Sequence, residues 1–300
     1  MTTMNTASTN STGRPARLLV MGANGMLGNA VLRWLAADPS FEVHGSVRRP
    51  EAAAALRARL PGVRLVEDVD ASHVASLRRL FEDVRPQVVI NCIGVVKQLA
   101  GADDPAIAIP INAMLPHRLA RLCQSHGARL IHISTDCVFS GRRGAYTEDD
   151  EPDADDLYGR SKLMGEVSQP HAVTLRTSII GHELDSGHGL VGWFSAQTGL
   201  VKGFSRAVFS ALPTVELARV IQEHVIPNPQ LCGTYHVGAQ AISKYEVLSL
   251  VANEYGSRAV LQPDADMVMD RSLVSTRFNE ASGYRPPSWP ELVRRMHEFS

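Results

Sequence analysis

The run Tyr158-Gly159-Arg160-Ser161-Lys162 sets a phenol and an ammonium four residues apart, one turn along a single helix face. Such a pair can hand a proton to a carbonyl oxygen. A free tyrosine has a pKa of about 10, so at neutral pH the phenol is a donor. A neighbouring ammonium makes its phenolate easier to form. The spacing by itself equally describes a half-buried tyrosine beside a solvated lysine. Two further segments favour chemistry: Gly22-Ala23-Asn24-Gly25-Met26-Leu27-Gly28 near the start, and Ser134-Thr135-Asp136 closing an apolar run.

The apolar run Leu18-Leu19-Val20-Met21 leads directly into Gly22-x-x-Gly25-x-x-Gly28 and then a helical pattern. Strand, glycine turn and helix together form a dinucleotide-phosphate site, where backbone N–H groups and the positive helix end approach a pyrophosphate. NAD-binding chains place an Asp or Glu about 20 residues further on. Here the second strand ends Gly45-Ser46-Val47-Arg48-Arg49, with no acid at that turn. Two guanidiniums can fork onto a 2′-phosphate, so NADP(H) is expected over NAD(H), against the alternative of a solvated loop before Pro50. Asp68 and Val69 follow the third strand, where the carboxylate can meet the adenine or simply shape a turn. Cys92, Ile93 and Gly94 end the fourth strand and are expected to line the cofactor.

These groups need a parallel sheet to bring them together. Strands are expected at 17–21, 41–47, 63–66, 87–93, 128–134 and 172–178, with helices at 26–37, 51–60, 72–83, 106–126 and 157–167. That alternation is the pattern of a doubly wound α/β Rossmann sheet. Pro110 and Pro116 predict a kink or late start in the fourth helix. The fifth strand then delivers Thr135 to the carboxyl edge that Tyr158 and Lys162 also reach. As hydride arrives at a carbonyl carbon there, Tyr158 would protonate the developing alkoxide. Lys162 would stabilise the phenolate and hold the nicotinamide ribose, and Thr135 would orient the carbonyl oxygen.

Beyond residue 180 the rhythm loosens into a smaller mixed α/β lobe. Helices are expected from Pro213-Thr214 to His224, at 243–255 and at 289–299, with a strand at 233–238. The chain therefore divides into a loose tail at 1–16, a dinucleotide-binding domain at 17–180 joined by parts of 213–240, and a substrate lobe over 181–300.

With 300 residues, 44% hydrophobic and 20% charged, the chain can bury a large core. A net charge of -1 provides no global field for nucleic acid or an anionic membrane. No stretch approaches the roughly 20 apolar residues that span a bilayer, and the first residues lack a secretory signal's pattern. A soluble, cytoplasmic protein is expected. Cys92, Cys123, Cys137 and Cys232 lie apart, with neither C-x-x-C nor zinc spacing, so no disulfide or metal is expected. His182, Glu183, Asp185 and His188 group around a glycine-rich turn, a poor metal prospect beside a cofactor enzyme's other parts.

These segments resemble the extended short-chain dehydrogenase/reductases, and within them the dTDP-4-dehydrorhamnose reductase-like branch. The likeness is carried by 22–28, Ile133 to Gly141, Gly144 to Glu148, Tyr158 to Glu166, Leu175 to Gly181, Pro213-Thr214 and Phe278 to Trp289, in order along nearly the whole chain after residue 16. The resemblance implies a bilobal fold whose C-terminal lobe holds a nucleotide-linked sugar over the nicotinamide, and reduction of a deoxysugar 4-keto group for surface polysaccharide. One departure stands out: Cys137 occupies a position where that branch usually has Tyr, which touches the choice of sugar more than the reaction.

On the substrate side, Lys97, Gln98, Arg142 and Arg143 are loop groups able to meet a diphosphate or remain solvated. Asp136 and Cys137 adjoin Thr135. Trp193 can stack on a base or pack, Phe194 fits a core, and Thr214 can cap its helix or touch substrate. A nucleotide-sugar epimerase or dehydratase, and a non-catalytic NADP-binding subunit, are the competing functions. Oligomeric state, including a homodimer, is left open.

Overall fold

The computed structural model describes residues 14–97, 102–184, 187 and 189–300. Of the segments singled out above, most of the tail (1–13), Gln98, Asp185 and His188 lie outside the described residues. Six strands, β1 (Ala16–Met21), β2 (Phe41–Ser46), β3 (Arg64–Val66), β4 (Val88–Asn91), β5 (Arg129–Thr135) and β6 (Ala172–Thr177), alternate with helices. The helices are α1 (Met26–Ala36), α2 (Pro50–Arg59), α3 (Val74–Val84), α4 (Pro105–Ala108), α5 (Leu115–His126) and α6 (Leu157–Met164). A further strand, Gly233–His236, pairs with β6. The sheet runs in the order Gly233–His236, β6, β5, β4, β1, β2, β3, with every neighbour parallel. The order reverses between β1 and β4, which opens a crevice at the carboxyl ends of those strands. This is the doubly wound Rossmann sheet expected from the sequence.

Period-two alternation decides which face each side chain covers. Leu18 and Val20 of β1 join the core beneath α1 and α2, whereas Leu19 and Met21 join the opposite core with Leu77, Leu80 and Phe81 of α3 and Leu119 of α5. Helices Thr214–Val220 and Trp289–Glu298 pack into the first of these cores through Leu217 and Leu292.

The fourth helix departs from expectation. It begins at Pro105, capped by the Asp104 carboxylate, and passes through a π-helical turn at Ile109–Met114 into α5. A widened turn, rather than a late start, accommodates the missing N–H of Pro110. Beyond residue 180 the chain also forms short strands that periodicity did not reveal. Gly199–Phe204 pairs in parallel with Ala259–Asp264, and Ala207–Phe209 pairs with Ile242–Ser243 and Met269–Asp270. Among the described residues, no helix is long and apolar enough to cross a membrane.

Candidate active site

The glycine turn is shaped by contacts that exclude side chains. Gly22 has a left-handed φ of +76°, its carbonyl accepts from Gly25 N–H at 3.0 Å, and a Cβ on Gly28 would lie 2.0 Å from that same oxygen. α1 therefore starts directly under the turn. Gly25 stands at its N-cap with no side-chain hydrogen bond, so its first N–H groups are not claimed by a capping side chain. Asn24 and Gly25 are exposed at the rim, Met26 is half-buried, and Leu27 and Gly28 are buried. Facing the turn, Cys92 N–H donates to Met21 O at 3.2 Å, and Ile93 Cγ1 would lie 3.0 Å from a Cβ on Gly22. Cys92, Ile93 and Gly94 thus wall the crevice. Burial pushes the Cys92 thiol up to about 12.

Arg48 and Arg49 follow β2 and are exposed; among the described residues their guanidiniums make no ion pair or hydrogen bond. Asp68 is exposed with φ +55°, and Val69 N–H donates to Val47 O at 3.1 Å, which ties the turns after β2 and β3 together.

Thr135, Tyr158 and Lys162 converge at the carboxyl edge of β5. Asp156 caps α6 by accepting from Gly159 N–H at 2.7 Å. Gly159 lets α6 press against the chain after Thr135, because a Cβ there would sit 2.1 Å from Cys137 O. Lys162 is buried, and its Nζ donates to Ile133 O at 2.7 Å. Burial pulls its pKa down to about 8, with the Glu166 carboxylate acting the other way. Burial raises the Tyr158 phenol well above the ordinary range, with Cys137 and Asp136 adding to it and Thr135 opposing. A phenol so placed stays protonated at neutral pH and can donate to a carbonyl oxygen. Thr135 Oγ1 accepts from Cys137 N–H and lies 3.1 Å from Asp136 Oδ1. Asn112 of the π-helical turn exchanges hydrogen bonds with the Val95 backbone and donates to Ser161 Oγ at 3.2 Å, locking the wall after β4 to α6.

Asp136 is buried and its carboxyl is raised by that burial, with Arg271 opposing. Arg271 reaches in from the C-terminal part of the chain. Its Nε donates to Phe139 O at 2.9 Å, Nη2 to Ser140 O at 3.3 Å, and Nη1 contacts Cys137 Sγ at 3.5 Å. Lys244, half-buried and lowered by burial, feels Asp136, Arg271, Cys137 and Lys97. Lys97 pairs with Asp156 and stands 5.7 Å over the Tyr158 ring. Sequence reasoning missed Lys244 and Arg271, since nothing local marks residues that meet Cys137 only after more than a hundred intervening positions.

Among the other expected substrate groups, the two loop arginines are already paired. Arg142 pairs with Asp155 at 3.4 Å and Arg143 with Asp150, both at the surface. Trp193 is 40% exposed on the helix Leu190–Ser195, while Phe194 is core. Thr214 is buried at the first position of its helix without a side-chain cap bond, and lines a cavity of about 20 Å³ with Met26, Asn29 and His182. His182 contacts the Tyr255 hydroxyl, and Glu183 accepts from Gly189 N–H. Among the described residues no His, Cys, Asp or Glu cluster has metal-binding geometry, and all four cysteines are free thiols.

A Rossmann sheet with a Tyr-x-x-x-Lys pair and a threonine at its carboxyl edge, extended by a C-terminal lobe, is the arrangement of the extended short-chain dehydrogenase/reductases. Residues 16–297 match the model of the RmlD substrate binding domain, and the chain belongs to that family. It is 30% identical over 278 residues to the probable low-salt glycan biosynthesis reductase Agl14 of Haloferax volcanii, covering 86% of this chain and 87% of the relative. It is also 26% identical over 260 residues to methionine adenosyltransferase 2 subunit beta of Rattus norvegicus, covering 80% and 72%. Among solved structures, dTDP-4-dehydrorhamnose reductase of Bacillus anthracis in complex with NADP shares the fold with a TM-score of 0.78 at 21% identity, covering 95% of this chain and 100% of the other. WbmG of Bordetella bronchiseptica in complex with NAD and UDP gives 0.75 at 18%, covering 96% and 95%.

Proposed function

We propose that the protein uses NADPH to reduce the 4-keto group of a deoxysugar linked to a nucleoside diphosphate, in the synthesis of surface polysaccharide. The observation that carries this reading is the meeting of Thr135, at the end of β5, with α6, which bears Tyr158 and seats Lys162 on Ile133 O, at the open carboxyl edge of a dinucleotide-type sheet. The residues fit the cofactor: the turn at Gly22 and Gly28 admits no Cβ, the α1 N-terminus is uncapped, and Arg48 has no acidic partner among the described residues. Gly22, Gly25 and the α1 N-terminus would hold the pyrophosphate, Arg48 and Arg49 the 2′-phosphate, Asp68 and Val69 the adenine, and Cys92 to Gly94 with Lys162 the nicotinamide riboside.

When bound, the dinucleotide supplies the hydride. Thr135 then orients the carbonyl oxygen, and Tyr158 gives it the proton that completes the alcohol; solvent reprotonates the phenolate. Lys97, Lys244 and Arg271 would present cations from three separate segments to the diphosphate, and Trp193 offers an exposed ring for a base. The reductase named among the relatives supports the reaction type, and the NADP and UDP complexes of the structural neighbours support the ligand classes.

Similarity to a named subunit of methionine adenosyltransferase favours a second reading, a nucleotide-binding subunit without turnover. Titration with NADPH and NADH, followed by a panel of nucleoside-diphosphate 4-keto-6-deoxysugars monitored at the reduced-nicotinamide absorbance, separates the two. Oxidation of NADPH by one panel member is expected. Tight cofactor binding without oxidation across the panel would contradict the reductase reading.

A further inference from the structure

Below the wall that faces the phosphate turn lies a buried histidine that the proposed chemistry does not use. Asn91 of β4 and His132 of β5 are register partners on adjacent parallel strands, and both are fully buried. Asn91 Nδ2 lies 3.1 Å from His132 Nδ1, while Asn91 Oδ1 accepts from Ile93 N–H at 3.2 Å. The second bond decides which way the amide points. A backbone N–H can only donate, so the oxygen takes Ile93 and the amino group faces the ring. His132 Nδ1 must then accept, which puts the ring's proton on Nε2. Burial holds the ring well below the ordinary histidine value, so it is neutral and has that one acceptor to offer. Among the described residues Nε2 has no hydrogen-bond partner, which leaves Asn91 as the ring's polar contact.

This chain of contacts ends at the phosphate turn. Ile93 has its Cγ1 3.0 Å and its N 3.3 Å from the place a Cβ on Gly22 would take. One residue earlier, Cys92 N–H donates to Met21 O at 3.2 Å. The strip after β4 therefore leaves the sheet close against the glycine turn. With the histidine in place, each end of the Asn91 amide has a complementary partner: Oδ1 the Ile93 N–H, and Nδ2 the His132 lone pair. Without it, Nδ2 is a buried donor left unpaired, and the amide that holds Ile93 is loosened.

We infer that His132 is a positioning residue for the cofactor wall: as the Nε2–H tautomer it accepts from Asn91, which holds Ile93 and with it the strip from Cys92 to Gly94 against the Gly22 turn. The inference rests on the proposed seat of the nicotinamide riboside along that strip.

Two substitutions separate polarity from bulk. Leucine nearly matches the ring's volume but accepts nothing, whereas asparagine is smaller, yet its Oδ1 can stand where Nδ1 stands. In fluorescence titrations, His132→Leu is expected to weaken NADPH binding by about tenfold and His132→Asn to stay within about threefold of wild type. The reverse order would make the ring a filler of space, and equal affinities would remove its link to the wall; either result overturns the inference. Asn91→Ala should weaken NADPH similarly, and adding His132→Leu to it should cost no more; additive losses would deny that the two act as one unit. Histidine-selective ¹⁵N labelling reads the tautomer on the wild-type protein, with the His132 signal identified by its loss in His132→Asn. Nε2–H is expected and Nδ1–H would overturn the inference, so the Asn91 bond is tested even where His132→Leu does not fold. A wild type that binds neither dinucleotide would defeat the cofactor reading and the wall's role with it. That failure is distinct from a wild type that binds NADPH and variants that bind it equally well.

Discussion

Arg48 bears a guanidinium that nothing in the described fold neutralises, at the turn where a carboxylate would take the ribose hydroxyls of NAD. Hydrogen bonds between charged groups contribute about 1.5–3 kcal/mol. Arg48→Ala is therefore expected to weaken NADPH binding by roughly 10- to 100-fold while leaving NADH unchanged, measured by fluorescence titration; equal losses would remove the phosphate contact. Tyr158, Lys162 and Thr135 stood out in the sequence as candidates through residue type and spacing, and the fold brings them to one sheet edge. The burial of the tyrosine was not legible there; together with the neighbouring Cys137 and Asp136, it keeps the phenol protonated. Which neighbours a side chain is buried with is decided by tertiary packing, and spacing along one helix carries no record of it.

At the scale of elements, α6 works because it can approach the β5 edge closely. A Cβ on Gly159 would lie 2.1 Å from Cys137 O and 2.6 Å from Ala154 Cβ. Gly159→Ala is expected to displace α6, lowering stability by about 1–3 kcal/mol in chemical denaturation and kcat with it; wild-type values for both would contradict this packing. The strand Gly233–His236 sets His236 beside Arg176 of the neighbouring β6. A histidine has a pKa of about 6.5 when unfolded and here about 4, so the native state binds fewer protons. The stability this group contributes is complete above about pH 6.5 and is lost as pH falls toward 4, by roughly 3 kcal/mol in total. His236→Gln should flatten that decline in denaturant midpoints measured between pH 7 and 4, and an unaltered decline would assign it to other groups. The strands β1 to β6 were readable from apolar runs bounded by turns. The two-residue strands were not, since their hydrogen bonds are set by partners remote in sequence, and neither was the π-helical turn at Ile109–Met114, whose local bonds skip one residue more than an α-helix and leave no mark in the apolar period.

At the scale of the molecule, the N-terminal sheet supplies the dinucleotide crevice, and the last third of the chain returns to it. Gly233–His236 extends the sheet, helices Thr214–Val220 and Trp289–Glu298 complete its core, and Arg271 and Lys244 reach the segment after Thr135. Arg271→Met is expected to raise the KM for the nucleotide sugar by about tenfold or more, through loss of a charge-assisted contact, with NADPH affinity near wild type. Equal weakening of both ligands would make Arg271 a structural brace instead. The proposed reaction turns on one proton donor, Tyr158. The most direct measurement compares kcat and NADPH dissociation constants for wild type and Tyr158→Phe with whichever keto-sugar is reduced. A fall in kcat of about 10²- to 10⁴-fold with NADPH affinity nearly unchanged is expected. An unaltered kcat, or equal loss of turnover and cofactor binding, would contradict Tyr158 as the acid.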